Sequence, residues 1–283
     1  MSGRITLLIF AGLLLGTAGT WRVLRASSLP GQEADDSPAE AGGEHARIET
    51  AHGPVHLWHP ANYDPRTAGM VIYVHGYFTP VDQTWADDHL AEQCSDSGRN
   101  ALFVAIEAPV SNRDEVYWTS LEDLLGLLAE RSPFPLPHGP LVVVGHSGAY
   151  RTILPWLSDP QVQHVILLDG LYAGQAEFRA WLRPRPSAKP HQLVLVSNET
   201  WRQTNRLSRR VYGAVRLRQI PARVSNFTPR ETHARLLCLR SQYDHSEIVS
   251  GGLVIPLLLE ISPLRALVAT KPVPSKSAQN VSY

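Results

Sequence analysis

Two cysteines in 283 residues, Cys94 and Cys238, are too few for a disulfide framework to hold this chain together. Neither charge is in excess: lysine plus arginine equals aspartate plus glutamate at 26 each, so no global field draws nucleic acid or an acidic partner. Zinc-ligand spacings, a P-loop and a complete dinucleotide fingerprint are all missing, and neither a metal nor a nucleotide cofactor is implied. No internal repeat runs through the sequence. Charged residues stand at 18% against 43% hydrophobic ones, which is too apolar for a disordered chain and normal for a globular one. A chain of this length and composition can bury one sizeable core.

The first residues stand apart from that core. Arg4 precedes the apolar stretch Ile5 to Ala18, and Trp21, Arg22 and Arg25 follow it, the layout of a secretory n-region and h-region. Gly16-Thr17-Ala18 offers small residues at a cleavage spacing, while Ile5 through Trp21 approaches the ~17–25 residues that cross a bilayer. Residues 1–25 are therefore expected to be a signal peptide or an N-terminal membrane anchor, with basic flanks on both sides that leave the orientation open. No cysteine follows to accept a lipid. Either reading puts the body outside the cytoplasm, in the periplasm or cell envelope. Residues 26–46, rich in Ser, Pro, Gly, Ala and acids, predict a flexible linker, 47–269 the folded domain and 270–283 a disordered tail.

Within the body, short apolar runs alternate with helical patterns. Ile48 to His59, broken at Gly53-Pro54, alternates like an antiparallel hairpin. The runs Met70–Val74, Asn100–Ile106, Leu141–Gly145, Val165–Leu168, Gln192–Val196 and Leu236–Leu239 read as strands buried on both faces. Helices are expected at Thr84–Ser97, Ser120–Glu130, after Ala149, and at Gln175–Trp181, Thr200–Tyr212 and Ile248–Leu259. Such alternation predicts an α/β fold, a mostly parallel doubly wound sheet with an antiparallel leading edge. Active sites of these sheets lie at the carboxyl ends of the strands.

Gly145-His146-Ser147-Gly148-Ala149 is the most informative stretch, because it places Ser147 on a strand-to-helix turn. A serine there is held in a strained conformation that needs very small residues two places before and after, here Gly145 and Ala149. The segment is either a nucleophile elbow or a glycine-rich connection with a surface serine. Upstream, a strand runs into His75-Gly76-Tyr77-Phe78, a turn able to supply backbone N–H groups to an oxyanion; downstream, Asp169 and then Asp244-His245 follow strands. The backbone N–H groups of Tyr77 and Gly148 are the candidate oxyanion donors. His245 is the preferred base, since a loop after the last core strand can return over the serine, and His233 is its rival. His75 and His146 read as packed supports within the turns. Asp169 is the candidate acid that orients the imidazole, or else a strand-end aspartate capping the next helix; Glu199, one strand later, is the alternative acid.

The order Ser, acid, His with an HG turn ahead of it resembles the α/β-hydrolase superfamily, from about Arg47 to about Val268. Its fold and a Ser147–His245–Asp169 triad cleaving an ester or amide bond are what that resemblance implies, with Asp169 at the lipase-type position of the acid. The stretches GHSGAYRTI, LLDGLY and DHSEIV also resemble a set of uncharacterised bacterial envelope hydrolases. A small-molecule or cell-envelope substrate follows, and the alternative is a catalytically idle body that binds or scaffolds in the envelope. Tyr77, Phe78, Trp118, Tyr150, Trp156, Tyr172 and Trp181 fall near strand ends; if two or three of them line the cleft, an aromatic, largely apolar acyl pocket is expected, partly covered by Pro109–Trp118. Arg202, Arg206, Arg209 and Arg210 share one expected helix, read first as a solvated face and second as a contact for an anionic surface. Cys94 and Cys238 are expected as separate buried thiols.

Overall fold

The computed structural model describes residues 40–183 and 190–268. The expected signal or anchor (1–25), most of the linker (26–39) and the tail (270–283) lie outside them. Among the described residues nine strands form one sheet: β1 (Gly43–Thr50), β2 (Gly53–Pro60), β3 (Gly69–Val74), β4 (Ala101–Ile106), β5 (Leu141–His146), β6 (Val162–Leu168), β7 (Gln192–Ser197), β8 (Val215–Leu217) and β9 (Leu236–Arg240). Their order is β1-β2-β4-β3-β5-β6-β7-β9-β8. The pairs β1–β2 and β2–β4 are antiparallel and the rest parallel. This is the mostly parallel, doubly wound sheet with an antiparallel leading edge that the strand pattern predicts.

The helices are α1 (Val81–Asp87), α2 (Leu90–Asp96), α3 (Leu121–Arg131), α4 (Tyr150–Trp156), α5 (Gln175–Trp181), α6 (Trp201–Ser208), α7 (Pro229–Thr232), α8 (Glu247–Ser250) and α9 (Val254–Glu260). Side-chain alternation along the strands sorts them into two layers. In β3, Met70, Ile72 and Val74 join one core with residues of α3, α4, α5 and α6, while Val71 and Tyr73 join another with α1, α2, α8 and α9. β3 and β4 are buried along their whole lengths. Each fully buried Leu, Ile or Val contributes roughly 1.5–3 kcal/mol of transfer free energy, which is why such runs are unbroken. Cys94 and Cys238 are free and buried in opposite layers, so the sheet itself separates the two thiols.

Four element ends differ from the sequence expectation, each for a local reason. β1 begins at Gly43, four residues before Arg47, because Glu40 fastens the entry: its carbonyl accepts from Trp58 Nε1 (2.9 Å) and its carboxylate from Trp85 Nε1 (3.3 Å). The single helix expected at Thr84–Ser97 is two, broken where His89 takes a left-handed φ of 49°. Gly251 and Gly252 split the last expected helix into α8 and α9. The helix expected to reach Tyr212 stops at Ser208, and past Gly213 (φ 75°) the chain forms β8, too short at three residues to leave a periodic signal.

Strand order also locates the crevice. The chain steps from β3 to β4 on one side, then returns past β3 to lay down β5 on the other. The carboxyl ends of β3 and β5 thus flank a topological switch point, where an open α/β sheet leaves room for a ligand.

Candidate active site

β5 ends at His146, a 3₁₀ turn covers Ser147–Ala149, and α4 begins at Tyr150. Ser147 has φ 51°, the left-handed region that L side chains rarely occupy, so the turn holds its side chain up and away from the helix. The close packing that permits this is visible at Gly145, where a Cβ would stand 2.4 Å from Ile153 Cδ1 and 3.0 Å from Ala149 Cβ. Facing the elbow, the β3 end turns through His75, Gly76 and Tyr77. The Tyr77 ring packs on Gly148 so tightly that a Cβ there would lie 2.4 Å from Tyr77 Cε1. Tyr77 and Gly148, whose N–H groups are the expected oxyanion donors, are therefore in contact beside Ser147.

His75 is buried and ties this turn to the sheet. Its Nδ1 is 2.6 Å from Gly76 O, and its Nε2 is 2.8 Å from both Glu107 Oε1 and the Ala108 nitrogen. Glu107 Oε2 in turn accepts from the Val81 N–H at the start of α1 (3.2 Å). Glu107 and Arg151 are the support residues that sequence reasoning missed. Arg151 donates to Tyr77 Oη (3.0 Å), Ser111 O (3.1 Å) and Asp114 O (2.7 Å), clamping the insert that follows β4 onto the Tyr77 turn. The one available signal for Glu107 was its place directly after a strand run; Arg151, four residues past the serine, gave none.

Asp169 follows β6 at the carboxyl edge, also with a positive φ (46°), and is fully buried. It accepts from the N–H groups of Asn198 (3.0 Å), Glu199 (3.1 Å) and Thr200 (2.9 Å), from Thr200 Oγ1 (2.7 Å), and from His245 Nδ1 (2.8 Å). Asp169 thus binds both the turn into α6 and the His245 ring, and it does not cap α5, the next helix in the chain, which follows Gly174 without a side-chain cap. Burial works against its ionisation, yet the hydrogen bonds from His245, Thr200 and Glu199 hold the carboxyl well below the usual carboxylate range. The same hydrogen bond to Asp169 raises His245 above an ordinary histidine, with burial opposing. His146 donates from Nε2 to His245 O (3.2 Å), and burial lowers it to about 4, so a neutral ring supports the His245 backbone. Glu199, the alternative acid, stands beside this pair and bonds instead to Tyr172, accepting from its Oη (2.7 Å), and that phenol also interacts with the Ser147 side chain. Asp244 caps its own turn through the N–H groups of Ser246 and Glu247. His233 bonds to Pro229 O beside α7, away from this cluster.

No family model matches the sequence, and no curated protein matches it. Solved structures do. The fluorophosphonate-binding serine hydrolase F of Staphylococcus aureus superposes with a TM-score of 0.50 at 11% identity over 78% of this chain and 99% of that one. The S-formylglutathione hydrolase FrmB of Staphylococcus aureus gives 0.50 at 9% identity, covering 78% and 98%. At such identities the likeness speaks for the fold alone. The chain has the α/β-hydrolase fold.

In this α/β-hydrolase fold the crevice at the switch point is a cleft of about 310 Å³, lined by Gly76, Tyr77, Phe78, Thr79, Thr84, Asp87, Asp88, His146, Ser147, His245, Ser246 and Val249. Two of the expected aromatics, Tyr77 and Phe78, do line it, but the pocket is not the largely apolar one expected. Trp118, Trp156 and Trp181 are buried in the core instead, where their ring area is needed, and of the expected aromatics only Tyr77 and Phe78 reach the cleft wall. Four hydroxyls, two carboxyls and two imidazoles take most of the remaining places, and burial together with Asp87 raises Asp88 to about 6. Asp169, Glu199 and His245 bring ligand atoms within 4.8 Å of one another, a grouping open to a metal ion by distance. The chemistry of the donors argues otherwise, because five hydrogen-bond donors already crowd the roughly four lone-pair positions of the Asp169 carboxylate.

Proposed function

We propose that the protein is a serine hydrolase that cleaves an ester bond through Ser147, His245 and Asp169. The observation that carries this reading is the 2.8 Å bond between buried Asp169 and His245 Nδ1, on a loop that shares one cleft with the strained Ser147. With Asp169 ionised, Nδ1 bears the proton it donates and Nε2 keeps its lone pair. Ser147 Oγ attacks the carbonyl carbon as its proton passes to Nε2, and the carbonyl oxygen becomes an oxyanion facing the N–H groups of Tyr77 and Gly148. Collapse expels the alcohol, which takes the proton from His245 and leaves an acyl group on Ser147. Water, deprotonated by the same nitrogen, then releases the acid and restores the serine.

The polar lining of the cleft supports a compact, polar ester over a long acyl chain, since Thr79, Thr84, Asp87 and Asp88 lose hydration without recompense against methylene groups. An extracytoplasmic setting is proposed from Arg4 and the apolar stretch Ile5–Ala18. The test is covalent: a fluorophosphonate probe should label the protein, and Ser147→Ala should lose the label and about 10⁶-fold in turnover of short esters. Unlabelled wild-type protein with no ester turnover would overturn the proposal in favour of an idle scaffold.

A further inference from the structure

The zero net charge of the chain conceals a segregation. Residues 173–240 hold 14 of the 26 basic side chains and only 3 of the 26 acidic ones. They build the β7-β9-β8 edge of the sheet with α5, α6 and α7. Arg202, Arg206, Arg209 and Arg210 recur at helical spacing along α6 and its end, and all four are exposed. Arg206 and Arg210 enclose a hollow of about 330 Å³ with Arg179 of α5, floored by Leu207. A second hollow, of about 370 Å³, opens among Arg202, Asn205, Arg206, Arg209 and Arg210.

Among the described residues, none of these five guanidinium groups meets a carboxylate or any other acceptor, whereas Arg47, Arg66 and Arg99 elsewhere each pair with an acid. A helix C-terminus favours a positive charge, but like charges four residues apart repel. Four arginines within one short helical run therefore weaken the fold unless an anion from outside answers them. Just beyond them Tyr212 is 99% exposed, a ring with an apolar body and a polar tip standing free in water.

We infer that this face docks on a membrane surface bearing anionic phospholipid head groups. Guanidinium forks donate paired hydrogen bonds to phosphate oxygens, and two adjacent hollows suit several phosphates spread in a plane. Tyr212 enters the head-group layer, the depth at which tyrosine is enriched in membrane proteins. The turn leading into α6 supplies the N–H groups that hold Asp169, so the face runs outward from the neighbourhood of the cleft. The inference stands on charge and exposure and does not depend on the hydrolase reading.

The experiment places an environment-sensitive maleimide dye on full-length protein carrying Tyr212→Cys; buried Cys94 and Cys238 stay unlabelled. Emission should shift to the blue with phosphatidylglycerol-containing vesicles and not with phosphatidylcholine alone. The shift should reverse in high salt, which shortens the Debye length from about 8 Å to about 3 Å. Arg206→Gln and Arg210→Gln, both at exposed positions, should each weaken vesicle affinity about fivefold. A silent dye, or an equal response to both lipids, overturns the inference. So does a shift produced by soluble polyphosphate, by DNA, or by protein concentration alone, each of which assigns the face to another partner.

Discussion

Asp169 is asked to do two things, and the division of labour between it and Glu199 can be measured. Asp169→Asn keeps the acceptor for the α6 turn on one side but presents an amide to His245, which favours the wrong tautomer; turnover should fall about 10⁴-fold with the fold intact. Glu199→Gln keeps a partner for Tyr172 Oη and should cost far less. The reverse ranking in steady-state kinetics would move the acid to the later strand. The acidity of the pair adds a sign. His245 serves as base only when neutral, and its pairing with Asp169 raises it, so the acid limb of kcat/KM should lie above the ~6.5 of a free histidine. In stability the two groups act oppositely. The contribution of His245 is complete below ~6.5 and fades as pH rises through its raised folded value, whereas that of Asp169 is present above ~3.9 and fades as pH falls through its depressed one.

At the scale of elements, the elbow depends on how closely β5, the 3₁₀ turn and α4 approach. Gly145→Val would press a branched side chain into Ile153 and Ala149, and overpacking of this kind costs about 1–3 kcal/mol. A thermal melt should show the loss, and unchanged stability would mean that the elbow is looser than its distances imply. This part of the site was legible in the sequence because its chemistry is local: an apolar run, then glycine, serine and alanine at fixed offsets. The position of His245 was legible from its place after the last core strand, whereas the choice of Asp169 over Glu199 rested on the α/β-hydrolase resemblance, since both acids follow strands. Glu107 and Arg151 were not, since their partners come from β3, α1 and the insert, contacts with no sequence periodicity. Nor was the polarity of the cleft. Aromatic residues near strand ends had two destinations, and the core took the three tryptophans because each ring removes more apolar surface from water there. The breaks at His89 and Gly251-Gly252 fell within continuous helical patterns that hid them.

For the whole molecule, the proposed signal or anchor ahead of the body would decide where the proposed chemistry takes place. Carbonate-resistant membrane association of full-length protein would mean an anchor, and a soluble product beginning near Thr20 would mean cleavage. Cytosolic recovery with Met1 retained and no membrane association would overturn both. A soluble body should keep Glu40, because trimming to Arg47 removes its bonds to Trp58 and Trp85 and half of the β1 ladder.

The sheet order has a consequence for synthesis. Among the described residues β8 pairs only with β9, yet precedes it in the chain, and β9 slots between β8 and β7. Until residue 236 has emerged and threaded into place, β7 is an open apolar edge and β8 has no neighbour, a state prone to joining other chains. His245 follows β9 by only five residues, so its imidazole, the proposed base, reaches Asp169 as that edge closes. A ribosome-bound or C-terminally clipped chain lacking β9 would be at once inert and adhesive, and the first appearance of activity would mark the moment at which the nascent sheet becomes safe.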